Sequence, residues 1–326
     1  ALLYGESSRL PVYYRKLAGN ISDVTTIKRL LRDLSFLEIE KVKLILDRGF
    51  YSEENVNALY ANHYKFLMGV KKSLKLVQEV LDEVRGSMHS RVHYSSEYGI
   101  YFYERAIEWK YKAIKPRSQS LETGSRRMYL QLYFDDQKAV DDRLAFNRLL
   151  DSLEEEVKMG RRIPEHETLY QKYYDISATP VRGVVMTPRE EAIEAVEKNY
   201  GYFALISNDI KDPLEALALY RSRDISEKAF NNLKERLSMR RTSVSSEENL
   251  EGKLFVAFLG LIYLSYIDKS MHDAKLYKTY TLHDVLDELD IIECYAHPGH
   301  RLRVGEITNK QKFLYEALGV ESPSLV

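Results

Sequence analysis

Three features of the 326-residue chain predict an α/β fold with a largely β insertion and a helical C-terminal region. Apolar runs of strand length alternate with helical periodicity as far as about residue 71. From about residue 72 the chain turns to aromatic, alternating segments and a long charged helix. The α/β pattern resumes at "GYFALIS", and the chain ends in helical segments. The expected division is 1–71 for the first part of the core, 72–200 for the insertion, 201–268 for the return of the core and 269–326 for the helical end.

The segment "ALLYG" reads as a strand, and Ser22 or Asp23 as the cap of a helix carrying Ile27, Leu30, Leu31 and Leu34 at helical spacing. Val42, Leu44, Ile45 and Leu46 form a short branched run, expected as a buried strand, with Asp47 and Arg48 where the run ends. That edge of an α/β sheet is where sites are built. The alternative for Asp47 and Arg48 is a solvated strand end. Gly49 permits a tight turn, and Ser52 with Glu53 and Glu54 reads as the cap and acidic first turn of a helix. A strand follows at "KFLMGV".

In the insertion, "SSEYGIYFYERAIEWKYKAI" and "RRMYLQLYFDD" are expected as strands joined by a polar loop, with a helix from about Gln137 to Met159. Leu254 to Ile267 is the longest apolar stretch. At 14 residues it falls short of the roughly 20 a spanning helix needs, so a core helix is expected. Thr281 caps a helix, and Phe313, Leu314, Ala317 and Leu318 share one face of the last one.

Composition fits a globular protein: 44% hydrophobic, 30% charged, 15 Gly and 8 Pro. A net charge of -1 argues against a uniformly basic nucleic-acid coat and leaves only local patches. These are Lys110, Lys112, Lys115 and Arg117; Arg126 and Arg127; Lys158, Arg161 and Arg162; and Lys234, Arg236, Arg240 and Arg241, each also readable as an ordinary solvated cluster. The single cysteine, Cys294, excludes an intramolecular disulfide and is expected as a small buried hydrophobe. The eight histidines show no HExxH spacing; His297 and His300 flank a Pro-Gly turn, readable as an exposed turn or as a metal pair, and no Walker loop, nucleophile elbow or zinc cluster is present. Most of the aromatic residues in the insertion read as sheet core; Trp109, between Glu108 and Lys110, is the candidate for contact with nucleic acid.

The most informative residues are Tyr220, Arg223, Glu227 and Lys234. On one helix they fall within an arc of about 60°, beside an apolar arc of Ile225, Ala229, Phe230, Leu233 and Leu237. A carboxylate flanked by cations suits phosphoryl chemistry: the carboxylate holds a divalent metal while Arg, Lys and a Tyr hydroxyl contact phosphate. The alternative is a solvated face with i, i+4 ion pairs such as Arg223 with Glu227.

"YRSRDISEKAFNNLK", residues 220–234, matches the Y-(2)-R-(3)-E-(6)-K signature of bacterial insertion-sequence transposases of the DDE class. "KLILDRGFYSEENVNAL", residues 43–59, resembles the segment that carries the second catalytic Asp in that family. "LPVYYRKLAGNISDVTTIKRLL" resembles the region between its first and second catalytic strands, and "GYFALISN" to "GKLFVAFLGLIYL" its return from the insertion. The resemblance implies a ribonuclease-H-like core interrupted by a largely β insertion that contacts the transposon end.

It further implies cleavage of DNA phosphodiesters at transposon ends and strand transfer into target DNA, with Mg²⁺ or Mn²⁺ held by Asp47 and Glu227 as catalytic residues. Tyr220, Arg223 and Lys234 are then expected on phosphates, with Arg48, Arg240, Arg241 and Trp109 as further DNA contacts. No residue matches the family's first Asp; Asp23 aligns with a loop. The simplest reading is a C-terminal portion of a longer transposase, and the alternative is a catalytically inactive transposon-derived DNA-binding or inhibitory protein. Expected partners are DNA and further copies of the chain in a synaptic complex, with no membrane, in a bacterial or archaeal cytoplasm near the nucleoid.

Overall fold

The computed structural model describes residues 2–5, 8–16, 23–36, 42–114, 121–179, 183–223, 244–296 and 303–323. In chain order the first half holds β1 (Leu2–Tyr4), β2 (Pro11–Tyr14), α1 (Asp23–Phe36), β3 (Lys43–Leu46), α2 (Glu53–Ala61), β4 (Lys65–Val70), α3 (Lys75–Val84), β5 (Tyr94–Ser95), β6 (Ile100–Ile114), β7 (Leu121–Phe134) and α4 (Asp136–Lys158). The second holds α5 (Glu167–Tyr173), β8 (Tyr174–Thr179), β9 (Gly183–Pro188), α6 (Glu190–Glu197), β10 (Tyr202–Ser207), α7 (Pro213–Arg221), α8 (Glu247–Asp273), α9 (Leu282–Asp290), β11 (Cys294–Tyr295), β12 (Arg303–Val304) and α10 (Asn309–Ala317). They form two units, Ile21–Arg221, and Ala1–Asn20 with Ser222–Val326.

In the first unit the apolar runs at 43–46 and 65–70 become β3 and β4, which pair in parallel with Leu46 opposite Met68. α2 is the crossover that a parallel pair requires. Its start is fixed locally, because the Ser52 side chain accepts a hydrogen bond from Asn55 N at 3.1 Å. β4 pairs antiparallel with β10, β10 with β7, β7 with β6 and β6 with β5, so one mixed sheet runs β3-β4-β10-β7-β6-β5. The aromatic segments expected in the insertion are thus strands of the sheet that holds β3. Pairing partners far apart in sequence are chosen by packing, which local alternation does not encode.

Alternation sorts β4 onto two faces. Phe66 meets the Tyr60 ring of α2 edge-on at 5.6 Å. Leu67 points the other way, into a buried cluster with Tyr133, Leu205, Ile210, Ala216 and Leu217 beneath α7. The two helices therefore cover opposite faces of the strand.

The outer halves of β6 and β7 run on as a two-stranded ribbon past the end of the β7–β10 pairing at Tyr129. α4 and α5, with Tyr174 at the start of β8 and Tyr200 after α6, build a separate cluster from Phe146, Leu153, Val157, Tyr170, Tyr173, Tyr174 and Tyr200. Burial pushes the Tyr200 phenol up to about 12.

In the second unit β1 and β2 form a hairpin that lies on α8: the Tyr14 ring is 4.8 Å from that of Phe258, Tyr4 OH and Ser265 Oγ share a hydrogen bond at 3.0 Å, and Lys16 pairs with Glu247 and Glu251. α8, α9 and α10 converge on Leu264, Met271, Leu282, Val285, Leu314 and Leu318. The Thr281 cap expected from sequence forms a full capping box with Asp284.

Three expectations in this unit are corrected. α8 is 27 residues long, because the Ser246 cap starts it well before the apolar run. One 18-residue window has mean hydropathy 1.6 with 17% of it buried, so the helix is long and apolar enough to cross a membrane by length and composition. Only one side of it is core; Phe255, Val256, Leu259, Tyr263 and Tyr266 are exposed. Cys294 is exposed, since its two-residue strand covers neither face. On α10 Leu314 and Leu318 are buried while Phe313 is half-exposed.

Candidate functional site

Asp47 is the first residue beyond β3, at the carboxyl end of the β3–β4 pair, where the sequence placed it. Its side chain is exposed and caps a tight turn over Arg48–Phe50, accepting from Arg48 N at 2.6 Å. The turn is fixed from behind: Asn55 Nδ2 donates to Phe50 O at 2.8 Å, and Ser52 caps α2. Asp47 shares the face of Ile45, two positions earlier, and Ile45 packs against the cluster under α7. The carboxylate thus faces the α7 side of the sheet.

α7 is aimed at that point by polar contacts at its start. Ser207 Oγ donates to Phe66 O at 2.8 Å and accepts from Asp209 N and Ile210 N at 3.1 and 2.9 Å. Asp212 Oδ1 caps the helix by accepting from Leu214 N and Glu215 N at 2.7 and 2.9 Å. Tyr133 OH donates to Pro213 O at 2.7 Å, and burial pushes that phenol well up. Nine residues of helix then bring Tyr220, in the last turn, over the sheet, where its hydroxyl donates to Asp47 Oδ1 at 3.1 Å. Residues 173 apart in sequence meet here.

Beside them, after β4, Lys72 Nζ donates to Asn199 O at 2.7 Å and to Asp142 Oδ2 at 3.2 Å. Burial lowers its pKa, Asp142 opposes this, and the charge of Arg48 pushes it further down. Asp142 also takes Lys138 Nζ at 2.8 Å and Gly201 N at 3.2 Å; burial works against its ionisation, yet these donors hold its carboxyl below the usual range.

The other expected residues fall as follows. Arg48 is exposed beside Asp47; α7 ends at Arg221 and turns at Ser222, so half-buried Arg223 does not continue the single helix expected from its spacing with Tyr220. Glu227, Lys234, Arg240 and Arg241 lie outside the described residues, as do Lys115, Arg117, Arg236, His297 and His300. Trp109 is half-buried, and its indole N–H donates to Asn57 Oδ1 of α2 at 2.9 Å. Next to it Tyr111 stacks on Tyr60 at 5.7 Å, and Tyr60 OH donates to Arg127 O at 2.9 Å. One face of the ribbon is thus fastened to α2, while Lys110, Lys112 and Arg127 stand exposed with Glu108 on the other. The cluster around Lys158 is largely neutralised internally, by Lys158 with Glu154 at 2.8 Å and Arg162 with Glu167 at 2.9 Å.

Among the described residues no three His, Cys, Asp or Glu side chains stand close enough to hold a metal ion. Asp47 supplies one hard oxygen ligand of the kind a divalent cation takes. No curated protein matches the chain. A family model, the transposase DDE domain, matches residues 1–263. That span takes in Asp47, Tyr220, Arg223, Glu227 and Lys234, so the chain belongs to the transposase DDE domain family.

Proposed function

We propose that this transposase chain cleaves DNA phosphodiesters at transposon ends with water and joins the freed 3′-hydroxyl to target DNA, on a ribonuclease-H-like core in which Asp47 and Glu227 are the catalytic carboxylates. The observation that carries this reading is the exposed aspartate at the carboxyl end of β3, met by the tyrosine of the Y-R-E-K motif at 3.1 Å. Members of this family generally use a divalent metal. Asp47 and Glu227 would hold it, Mg²⁺ or Mn²⁺. When bound it supplies charge for the phosphate oxygens and acidity for a water.

The chain's own residues do the rest. The Arg48–Phe50 turn and the Asn55 clamp fix the backbone that carries Asp47, and Tyr220 holds one carboxylate oxygen. Arg48, Arg223, Lys234, Arg240 and Arg241 supply cations for phosphate. The exposed face of the ribbon, Lys110, Lys112 and Arg127, extends this surface, with the Trp109 ring supporting it from the α2 side. The protein acts in the cytoplasm, typical of the family, at the nucleoid, and associates with further copies of itself at paired transposon ends.

The test is incubation with supercoiled plasmid and candidate transposon ends in Mg²⁺ or Mn²⁺. Metal-dependent nicking that is lost in Asp47→Ala and in Glu227→Gln, with DNA still bound, is the expected result. Nicking that survives both substitutions overturns the assignment. Replacing Lys110 and Lys112 with Gln should reduce the salt dependence of DNA binding by about two counterions. The alternative is a DNA-binding protein without catalysis, since no residue of this sequence matches the family's first Asp. It predicts binding that Arg223→Glu and Lys234→Glu abolish, and no nicking with any divalent metal.

A further inference from the structure

We propose that Gly69 is a positioning residue of the Asp47 site: its missing side chain opens the passage by which Tyr220 crosses β4 and reaches the carboxylate. The proposal rests on the reading of Asp47 as a site residue.

Gly69 is buried in β4, a strand hydrogen-bonded on both edges, opposite Leu205 of β10. Glycine weakens a strand interior, where it packs nothing and loses the most freedom on folding. Backbone geometry does not call for it: among the described residues the glycines with positive φ are Gly99, Gly160, Gly201 and Gly319. Space does. A Cβ at position 69 would collide with Tyr220 OH and stand 3.0 Å from Tyr220 Cζ and 3.2 Å from Arg48 N. The first approach is one that real Cβ atoms essentially never show.

The register explains why the conflict falls at this residue. The last parallel pair is Leu46 with Met68, so one step further sets Asp47 beside Gly69. Alternation turns position 69 to the same face as Leu67, the face under α7. Any side chain there would occupy the line along which the phenol meets Asp47 Oδ1 at 3.1 Å. Val70 and Met68, its buried neighbours, point to the opposite face. The one position in β4 that must be empty for the contact is therefore the glycine.

The test uses the whole chain with 3-fluorotyrosine incorporated at position 220. Asp47→Ala should move its ¹⁹F resonance, and Gly69→Ala should move it too. A resonance that Gly69→Ala leaves in place overturns the proposal, whatever the protein does to DNA. Mn²⁺ affinity, read by titration, should fall about tenfold in Gly69→Ala and about as far in Tyr220→Phe, with the double variant no worse than either single one. Losses that multiply overturn it.

Should Gly69→Ala lower the melting temperature, adding Tyr220→Phe should restore most of the loss, because the closest conflict is with the hydroxyl. A loss that persists identifies a plain packing role and overturns the proposal. If Mn²⁺ does not bind the wild-type chain, the catalytic reading fails, while the ¹⁹F comparison still decides the role of Gly69.

Discussion

An aspartate stands at each end of the β3–β4 pair, Asp209 from the loop after β10 and Asp47 just past β3, and the two are held differently. At the amino ends Asp209 is clamped: Oδ2 takes Lys43 Nζ at 2.9 Å and Oδ1 takes Lys65 Nζ at 2.7 Å. Burial works against its ionisation, but the two lysines outweigh it and hold the carboxyl below the usual range. At the carboxyl ends Asp47 is exposed, and its Oδ1 takes the Arg48 N–H and the Tyr220 phenol. A carboxylate spent on two lysines is a fastening. The other is held at one oxygen by a backbone N–H and a phenol, and under the function proposed above it is the one that meets a metal.

The contrast breaks or sharpens under substitution. The largest effect is expected from Asp47→Asn, which should cut metal-dependent cleavage by at least about 100-fold with little change in melting temperature. Asp209→Asn should do the reverse, costing about 1 kcal/mol in urea unfolding, the screened value for a partly exposed pair, and leaving cleavage within about twofold. Equal losses of cleavage in the two variants would erase the distinction between fastening and site.

Acid sharpens it further. The folded pKa of Asp209 lies below its unfolded value of 3.8, so its contribution is complete above that pH and is lost as pH falls through the folded value. Below about pH 4 the wild-type chain should therefore lose stability faster than Asp209→Asn, as read by unfolding midpoints at stepped pH. Parallel curves would mean the lysine clamp contributes nothing. The smallest effect is expected from Ser52→Ala, about 1 kcal/mol or less from a lost cap. If that change also slows cleavage, the turn that carries Asp47 depends on the start of α2 for its rigidity.

Much of this was legible in the chain. The run from Val42 to Leu46, the charge at its end, and the Ser52 cap gave β3, Asp47 and α2 in the places the structure puts them, because each is set by contacts within a few residues. The tyrosine of the motif stood out in the sequence, but its contact with Asp47 did not. It was expected on a phosphate, and here it donates to Asp47. The glycine in "KFLMGV" drew no reading of its own from the sequence, where the run was expected simply as a strand, and its reason appears only with the helix laid across it. Trp109 stood out as the only tryptophan, yet the donor it offers is taken by Asn57, 52 residues away.

Local chemistry thus determined the elements, the caps and the identity of the charged residues at the strand ends. Tertiary structure decided that the aromatic strands join the sheet of β3, that α8 buries only one side, that Cys294 is exposed, that Asp209 meets two lysines and that Asp47 meets the Tyr220 phenol. The physical reason is range. Helix caps and strand alternation are settled by neighbours in sequence, whereas pairing, burial and the partners of a carboxylate are settled by whichever distant segments pack there.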